Sequence, residues 1–228
     1  MLYCVRMGSG WWVSDMLNAP TLGPAALVAW IVIVIGSIVL HELAHGWAAL
    51  WLGDSTPRDL GHMTWNPLVH MGGYSLIMFA VIGIAWGAMP VNPSRLRGRY
   101  GDAIVAVAGP AMNVLLALVS FVCLIFWIRL GGNVGDPLAG NLERFFYYGA
   151  MLNLVLAAFN LLPIYSPFIA LDGGHIAADF SRRYRELAES ENGRWIMLGG
   201  FLLMFWFAFD PVIYAIQNLV SAARDALV

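Results

Sequence analysis

The sequence predicts an all-α protein: a polytopic membrane helix bundle with about four to six transmembrane helices plus a re-entrant or interfacial segment. Three observations point there. Of the 228 residues, 60% are hydrophobic and only 11% charged, where a soluble domain is roughly half apolar and about a quarter charged. About four or five apolar runs approach or exceed the roughly 20 residues that cross a hydrocarbon core. No polar stretch of soluble-domain size separates them, so the chain reads as one integral membrane domain with an arm at 1–23, a core at 24–185 and a C-terminal helix with an amphipathic tail at 192–228.

The arm, "MLYCVRMGSGWWVSDMLNAPTLG", holds no continuous apolar run. The first span is expected at about 25–52, roughly 42 Å if helical. It leads into "HELAH" and not into a small-residue cleavage site, so it reads as a retained span and not a signal peptide. "GDSTPRD" is a turn signal, and "LGHMTWNPLVHMGG" reads as a loop or interfacial segment. Residues 74–89 are apolar but short and interrupted by glycine, which favours a hairpin or re-entrant segment over a lone span. After "PVNPSRLRGRYGD" a second span is expected at 103–128, and after "RLGGNVGDPLAGNLER" a third at about 145–163. A broken stretch ending in "SRRYRELAESE" precedes a fourth span at 195–209. The tail has the spacing of an amphipathic helix lying on a membrane surface or against the bundle.

All twelve basic residues are arginine, and the net charge is −2. No basic face is available to neutralise phosphates, so no nucleic-acid partner is expected. The arginines at 95, 97 and 99 and at 182, 183 and 185 place both of their loops on the cytoplasmic side by the positive-inside rule. The first and third spans then run parallel and end on that side. Cys4 and Cys123 are too few and too far apart for a disulfide framework or a cysteine metal site.

The chemistry gathers in "HELAH". Residues four apart share a helix face, so His41 and His45 can present two imidazoles to one ion, with Glu42 on the adjacent flank. Neutral imidazole is a zinc ligand, and the glutamate is placed to handle the proton of water activated by the metal. A glutamate in mid-membrane costs a few kcal/mol unless it is paired or faces water. Two histidines leave a catalytic zinc one protein ligand short. Candidates for the third are His62, His70, Asp172 and His175. His62 and His70 read more readily as interfacial polar residues. Asp172 in "LDGGH" follows the third span and can reach the depth of the histidines, with Gly173 and Gly174 permitting close approach of backbone or substrate.

With "AGPAMN", "NLLP" and "LDGG" following "HELAH" in that order, the chain resembles the site-2 protease family of intramembrane zinc metalloproteases, peptidase family M50. "TWNPLVH" and "PVNPSRLR" resemble its small bacterial members without PDZ or CBS domains. The resemblance covers about residues 25–185. It implies one zinc held by His41, His45 and Asp172, with Glu42 as general base and Asn160 of "NLLP" binding substrate backbone or a developing oxyanion. Gly109 and Asn113 match positions of close helix contact, and Asn153 reads as satisfying a neighbouring helix. Substrates would be transmembrane segments of membrane proteins in the lipid bilayer, and the location a bacterial inner membrane with the active site nearer the cytoplasmic face. The 74–89 segment and the strand-like "GHMTW" could offer an edge for an unwound substrate. Between "NLLP" and "LDGG" the chain has seven residues where about three are expected. After His70 it reads "MGGY" where related members carry an aspartate. From another class, a membrane metal-ion transporter could use His41, Glu42 and His45 as a relay.

Overall fold

The computed structural model describes residues 11–18, 23–130, 138–165 and 170–227, with no side-chain account of 204–209. The described residues hold nine α-helices and one 3-10 turn. Two of the helices are long and apolar enough to cross a membrane: α2 (Gly23–Trp51) and α5 (Gly101–Leu130). Also long are α6 (Leu138–Asn160) and α9 (Glu191–Leu227).

The arm contains a short helix, α1 (Trp12–Asn18), whose Met16 joins Ala26, Ala29 and Ile33 of α2 and Met151 of α6 in an apolar cluster. From there α2 runs for 29 residues, about 43 Å. Its first half leaves Val28 and Val32 exposed, while almost every residue from Ser37 to Gly46 is buried. The helix stops at Gly53, whose φ of 99° only glycine adopts without strain. Asp54 N–H donates to Ala49 O and Gly53 N–H to Leu50 O, the paired bonds of a Schellman end.

Asp54 is fully buried just beyond that end. One carboxylate oxygen accepts from the Thr56 backbone and hydroxyl, and the other from Asn92 N–H at 2.7 Å. Burial alone would raise this carboxyl, but the Thr56 and Asn92 donors outweigh it and hold it below the usual carboxylate range. The bond to Asn92 ties the end of α2 to a distant segment. That segment begins at α4 (Pro67–Ile82), capped by Asn66 with proline at its first position and broken at Gly72, where φ is 67°. Beyond Gly83 the chain doubles back. Ser75 Oγ donates to Trp86 O and accepts from Trp86 N–H, and Ala88 N–H donates to His70 O. At the apex, the Trp11 and Trp12 indoles both donate to Ala80 O.

Residues 67–92 are therefore a hairpin, as expected for 74–89, with one helical limb and one extended limb. "GHMTW" is not a strand, and the described residues hold no β-structure beyond an isolated bridge between Tyr165 and Ala170. His70, expected in a loop, lies in the first turn of α4. The short helix α3 (Thr56–Asp59) fills the turn after α2.

The core is α2, α5 and α6 packed together, with α5 antiparallel to the other two. The helix that holds the expected third span starts earlier than expected, because "LAGNLER" forms the first turns of α6 instead of a connector. α7 (Asp172–Phe180) lies on the start of α5, and α8 (Arg182–Glu189) leads into α9. The expected fourth span and separate tail are one 37-residue helix that passes through Pro211. Its far end packs on the bundle: Arg224 pairs with Glu143, Tyr147 meets Ser221, and Arg129 donates to Leu227 O. The tail therefore lies against the bundle. Arg182, Arg183 and Arg185, expected in a loop, belong to α8, and Arg185 lines one cavity together with Arg99 of the other arginine segment.

Candidate metal centre

The histidines sit in the most enclosed part of α2, His41 and His45 each 7% exposed. Their tautomers can be derived from the groups around them. Asn153 Nδ2 donates to Gly149 O, a backbone carbonyl that can only accept, so its oxygen faces Asn113. Asn113 Nδ2 donates to that oxygen at 2.9 Å, which turns Asn113 Oδ1 toward His41. His41 Nδ1, 2.6 Å from Asn113 Oδ1, must then be the protonated nitrogen. His45 Nδ1 lies 2.7 Å from Val105 O and must likewise donate.

Each neutral ring is left with a bare lone pair on Nε2, and these two atoms lie 3.0 Å apart. Two acceptors do not bond one another. They face Asp172, whose Oδ2 is 3.2 Å from His41 Nε2 and whose Oδ1 is 3.3 Å from His45 Nε2. Asp172 Oδ2 is also a buried atom that makes no hydrogen bond. Three converging sets of lone pairs and an orphaned carboxylate oxygen need a cation. The donors of His41, His45 and Asp172 all lie within 4.8 Å of one another. Ligands about 2.0–2.1 Å from a tetrahedral zinc stand roughly 3.3 Å from each other, close to these separations. The residues fit a zinc ion with one position left open.

Gly109 makes room for the rings. A Cβ there would collide with His45 Nε2 and would lie 2.5 Å from His41 Cε1. Asp172 arrives from the other side at the first position of α7. The long loop before it does not displace it, because Leu171 N–H donates to Ile164 O at 2.9 Å and closes the loop at its base. Residues 166–169 of that loop lie outside the described residues. Gly173 and Gly174 pack on the Leu161 and Ile164 carbonyls, so the close approach expected of them is to backbone.

A cavity of about 260 Å³ opens on the donors, lined by Glu42, His45, Asp102, Asn160, Asp172 and His175 among others. Glu42 is 6% exposed and packs on Gly87 of the extended limb, where a Cβ would lie 2.6 Å from its Cγ. Asn160, the last residue of α6, reaches the same space. The other third-ligand candidates are not in the donor group, although His175 lines the cavity. His70 donates to Thr64 O, with His62 edge-on to its ring, and His175 pairs with Asp102. The sequence reading missed the Val105 carbonyl and understated Asn113 and Asn153, which it took as helix contacts. The four-residue spacing of Val105, Gly109 and Asn113 was the available signal, since it puts them on one face of α5.

Comparisons with known proteins agree with this chemistry. The sequence profile of peptidase family M50 matches residues 29–138 and 132–207. YwhC of Bacillus subtilis (strain 168), provisionally named a zinc metalloprotease, is 32% identical over 212 residues, 90% of this chain and 91% of that protein. Rip2 of Mycolicibacterium smegmatis, provisionally named likewise, is 28% identical over 160 residues, 65% of this chain and 58% of its own. Rip1 of Mycobacterium tuberculosis, named a zinc metalloprotease, is 43% identical over 65 residues, 28% of this chain and 15% of its own. No solved structure matches the chain. None of these relatives is named a transporter, and the described residues hold no second cluster of metal-binding groups to form a relay.

Proposed function

Since the chain belongs to peptidase family M50 and is a membrane zinc metalloprotease, we propose that it is an intramembrane endopeptidase that cuts transmembrane segments of membrane proteins. The observation that carries this reading is the depth of the donor set: His41 lies about ten residues, roughly 15 Å, inside the end of an apolar 29-residue helix. A buried ionisable cluster at such a depth is costly and marks a functional site.

In this reading His41, His45 and Asp172 hold the zinc. When bound, the ion lowers the pKa of water and polarises a carbonyl. Glu42 takes the proton from the attacking water and returns it to the departing amine, from a position braced by Gly87. Asn160 holds substrate backbone at the cavity wall. A substrate helix hides its carbonyls in its own hydrogen bonds and must unwind locally to be cut. α6 and α9 cross the bilayer with α2 and α5. The two arginine-bearing segments share one cavity and, by the positive-inside rule, face the cytoplasm of a bacterial cell, which supports an active site nearer that face.

The test uses purified protein in proteoliposomes with a labelled transmembrane peptide, the products being mapped by mass spectrometry. Wild type should cut within the apolar segment, and Glu42→Gln should keep its zinc and lose at least about a hundredfold in rate. Cleavage confined to residues outside the apolar segment overturns the intramembrane reading. A Glu42→Gln variant that cuts at the wild-type rate overturns the assignment of the base.

A further inference from the structure

Asp172 is not the only side chain that α7 brings to the cavity. His175, one turn later, lines it as well, and its Nδ1 lies 3.4 Å from Asp102 Oδ2 in the first turn of α5. The Tyr165 ring meets the imidazole edge-on, with centroids 5.0 Å apart and planes at 88°, so the ring is oriented from two sides. Its Nε2 has no partner among the described residues. Asp179, a further turn along, accepts from Ala103 N–H at 3.0 Å. That bond already docks α7 on the start of α5, so docking alone does not require a histidine at 175.

We propose that His175, held by Asp102, is a catalytic residue that donates a hydrogen bond from Nε2 to the oxyanion developing on the substrate carbonyl. Asp102 takes up Nδ1, which leaves Nε2 as the ring atom for the substrate, on the wall of the cavity that Glu42 and Asp172 also line. No bond to the imidazole forms and no proton leaves it. Its effect is electrostatic, on charge that exists only as the reaction proceeds. Donors fixed in advance toward such charge act on kcat and leave ground-state binding nearly untouched.

This inference rests on the peptidase reading, so wild type is the first control. The comparison is of His175→Leu and His175→Gln in the full chain, measuring zinc content, kcat, KM and the affinity of a peptide phosphinate that mimics the tetrahedral state. His175→Leu should keep one zinc per chain and a KM within about threefold, while kcat falls by about a hundredfold or more. Phosphinate affinity should fall by a similar factor, and affinity for the uncleaved peptide should not. His175→Gln, whose amide can still donate, should recover part of the kcat. A His175→Leu variant with wild-type kcat and phosphinate affinity overturns the role. So does loss of zinc in both variants, which would show that the residue only places Asp172. A wild type that neither cuts the peptide nor binds the phosphinate sinks the peptidase reading and this inference with it.

Discussion

Replacing Asn113 with leucine should weaken zinc binding without touching any proposed ligand. Asn113 is fully buried and stands between Asn153 and His41, accepting from His41 Nδ1 at 2.6 Å. Leucine has a similar size and neither accepts nor donates. It leaves the His41 Nδ1–H and the Asn153 carbonyl oxygen buried and unpaired, at about 1–3 kcal/mol for each. The Asn153 term is common to the zinc-free and zinc-bound protein and lowers stability in both. The His41 term differs between them, because a ring no longer held at Nδ1 can turn or change tautomer when the metal leaves and must be reset when it returns. Loss of such an outer partner typically costs about 10- to 100-fold in metal affinity, or about 1.4–2.8 kcal/mol. Competition with a chromophoric chelator, on detergent-purified protein at neutral pH, reads this directly. Asn113→Asp is the contrasting variant: it keeps the acceptor for His41 while setting a carboxylate against Asn153 Oδ1, so stability should fall with zinc affinity within about threefold of wild type. If Asn113→Leu holds zinc as tightly as wild type, the tautomer argument is refuted.

Other substitutions follow from the packing and the charges. Gly109→Ala puts a methyl group into the two imidazoles and should abolish tight zinc binding. Gly36→Ala, on α2 with nothing within 4 Å of its Cβ, should instead gain about 0.5–1 kcal/mol; zinc analysis and melting curves check both. Asp54→Asn sets an amide donor against one of the N–H donors of Asn92 and Thr56 and should cost about 1–3 kcal/mol in chemical unfolding. Because the folded Asp54 carboxyl lies below its ordinary range, its contribution is fully present above the unfolded pKa of about 3.9 and is lost as pH falls through the folded value. The stability gap between wild type and Asp54→Asn should thus be constant above about pH 5 and close below about pH 4. A gap that does not change with pH would contradict the hydrogen-bond account.

What could be read in the sequence was whatever depends on spacing within one element. His41 and His45 at a four-residue interval, the apolar lengths of α2 and α5, and a glycine-broken segment too short to cross alone were all visible, and each is found. Asp172 was reachable because the direction of the spans carries from one helix to the next. What was hidden depends on contacts between elements. Nothing local distinguishes Asn113 bonded to an imidazole from Asn113 bonded to a helix backbone. The extension of α9 through Pro211 was hidden too, because proline disfavours a helix interior by about 3 kcal/mol and local preference predicts a break there. Packing against α6 and α5 overrides that preference.

The arrangement also explains why the centre depends on α5, a helix that supplies no ligand. Val105, Gly109 and Asn113 recur every four residues along one stripe, and each meets α2 in a different way: a carbonyl for His45, an absent side chain for both rings, an amide for His41. Pro110, which has no N–H, removes one rung of the helix ladder at Ala106, beside the Val105 carbonyl that accepts from His45. The start of the same helix receives α7 through Asp179 on Ala103 N–H, in the first turn where the helix dipole favours an acid. The two histidines and the aspartate come from elements far apart in the chain, and both are referenced to this one rigid stripe. A small sliding of α2 along α5 would break the His41 and His45 bonds together, because a carbonyl and an amide eight residues apart on α5 hold two rings four residues apart on α2 in register. The donor separations of 3.0–3.3 Å therefore depend on the register of α2 on α5 more than on the loop that carries Asp172.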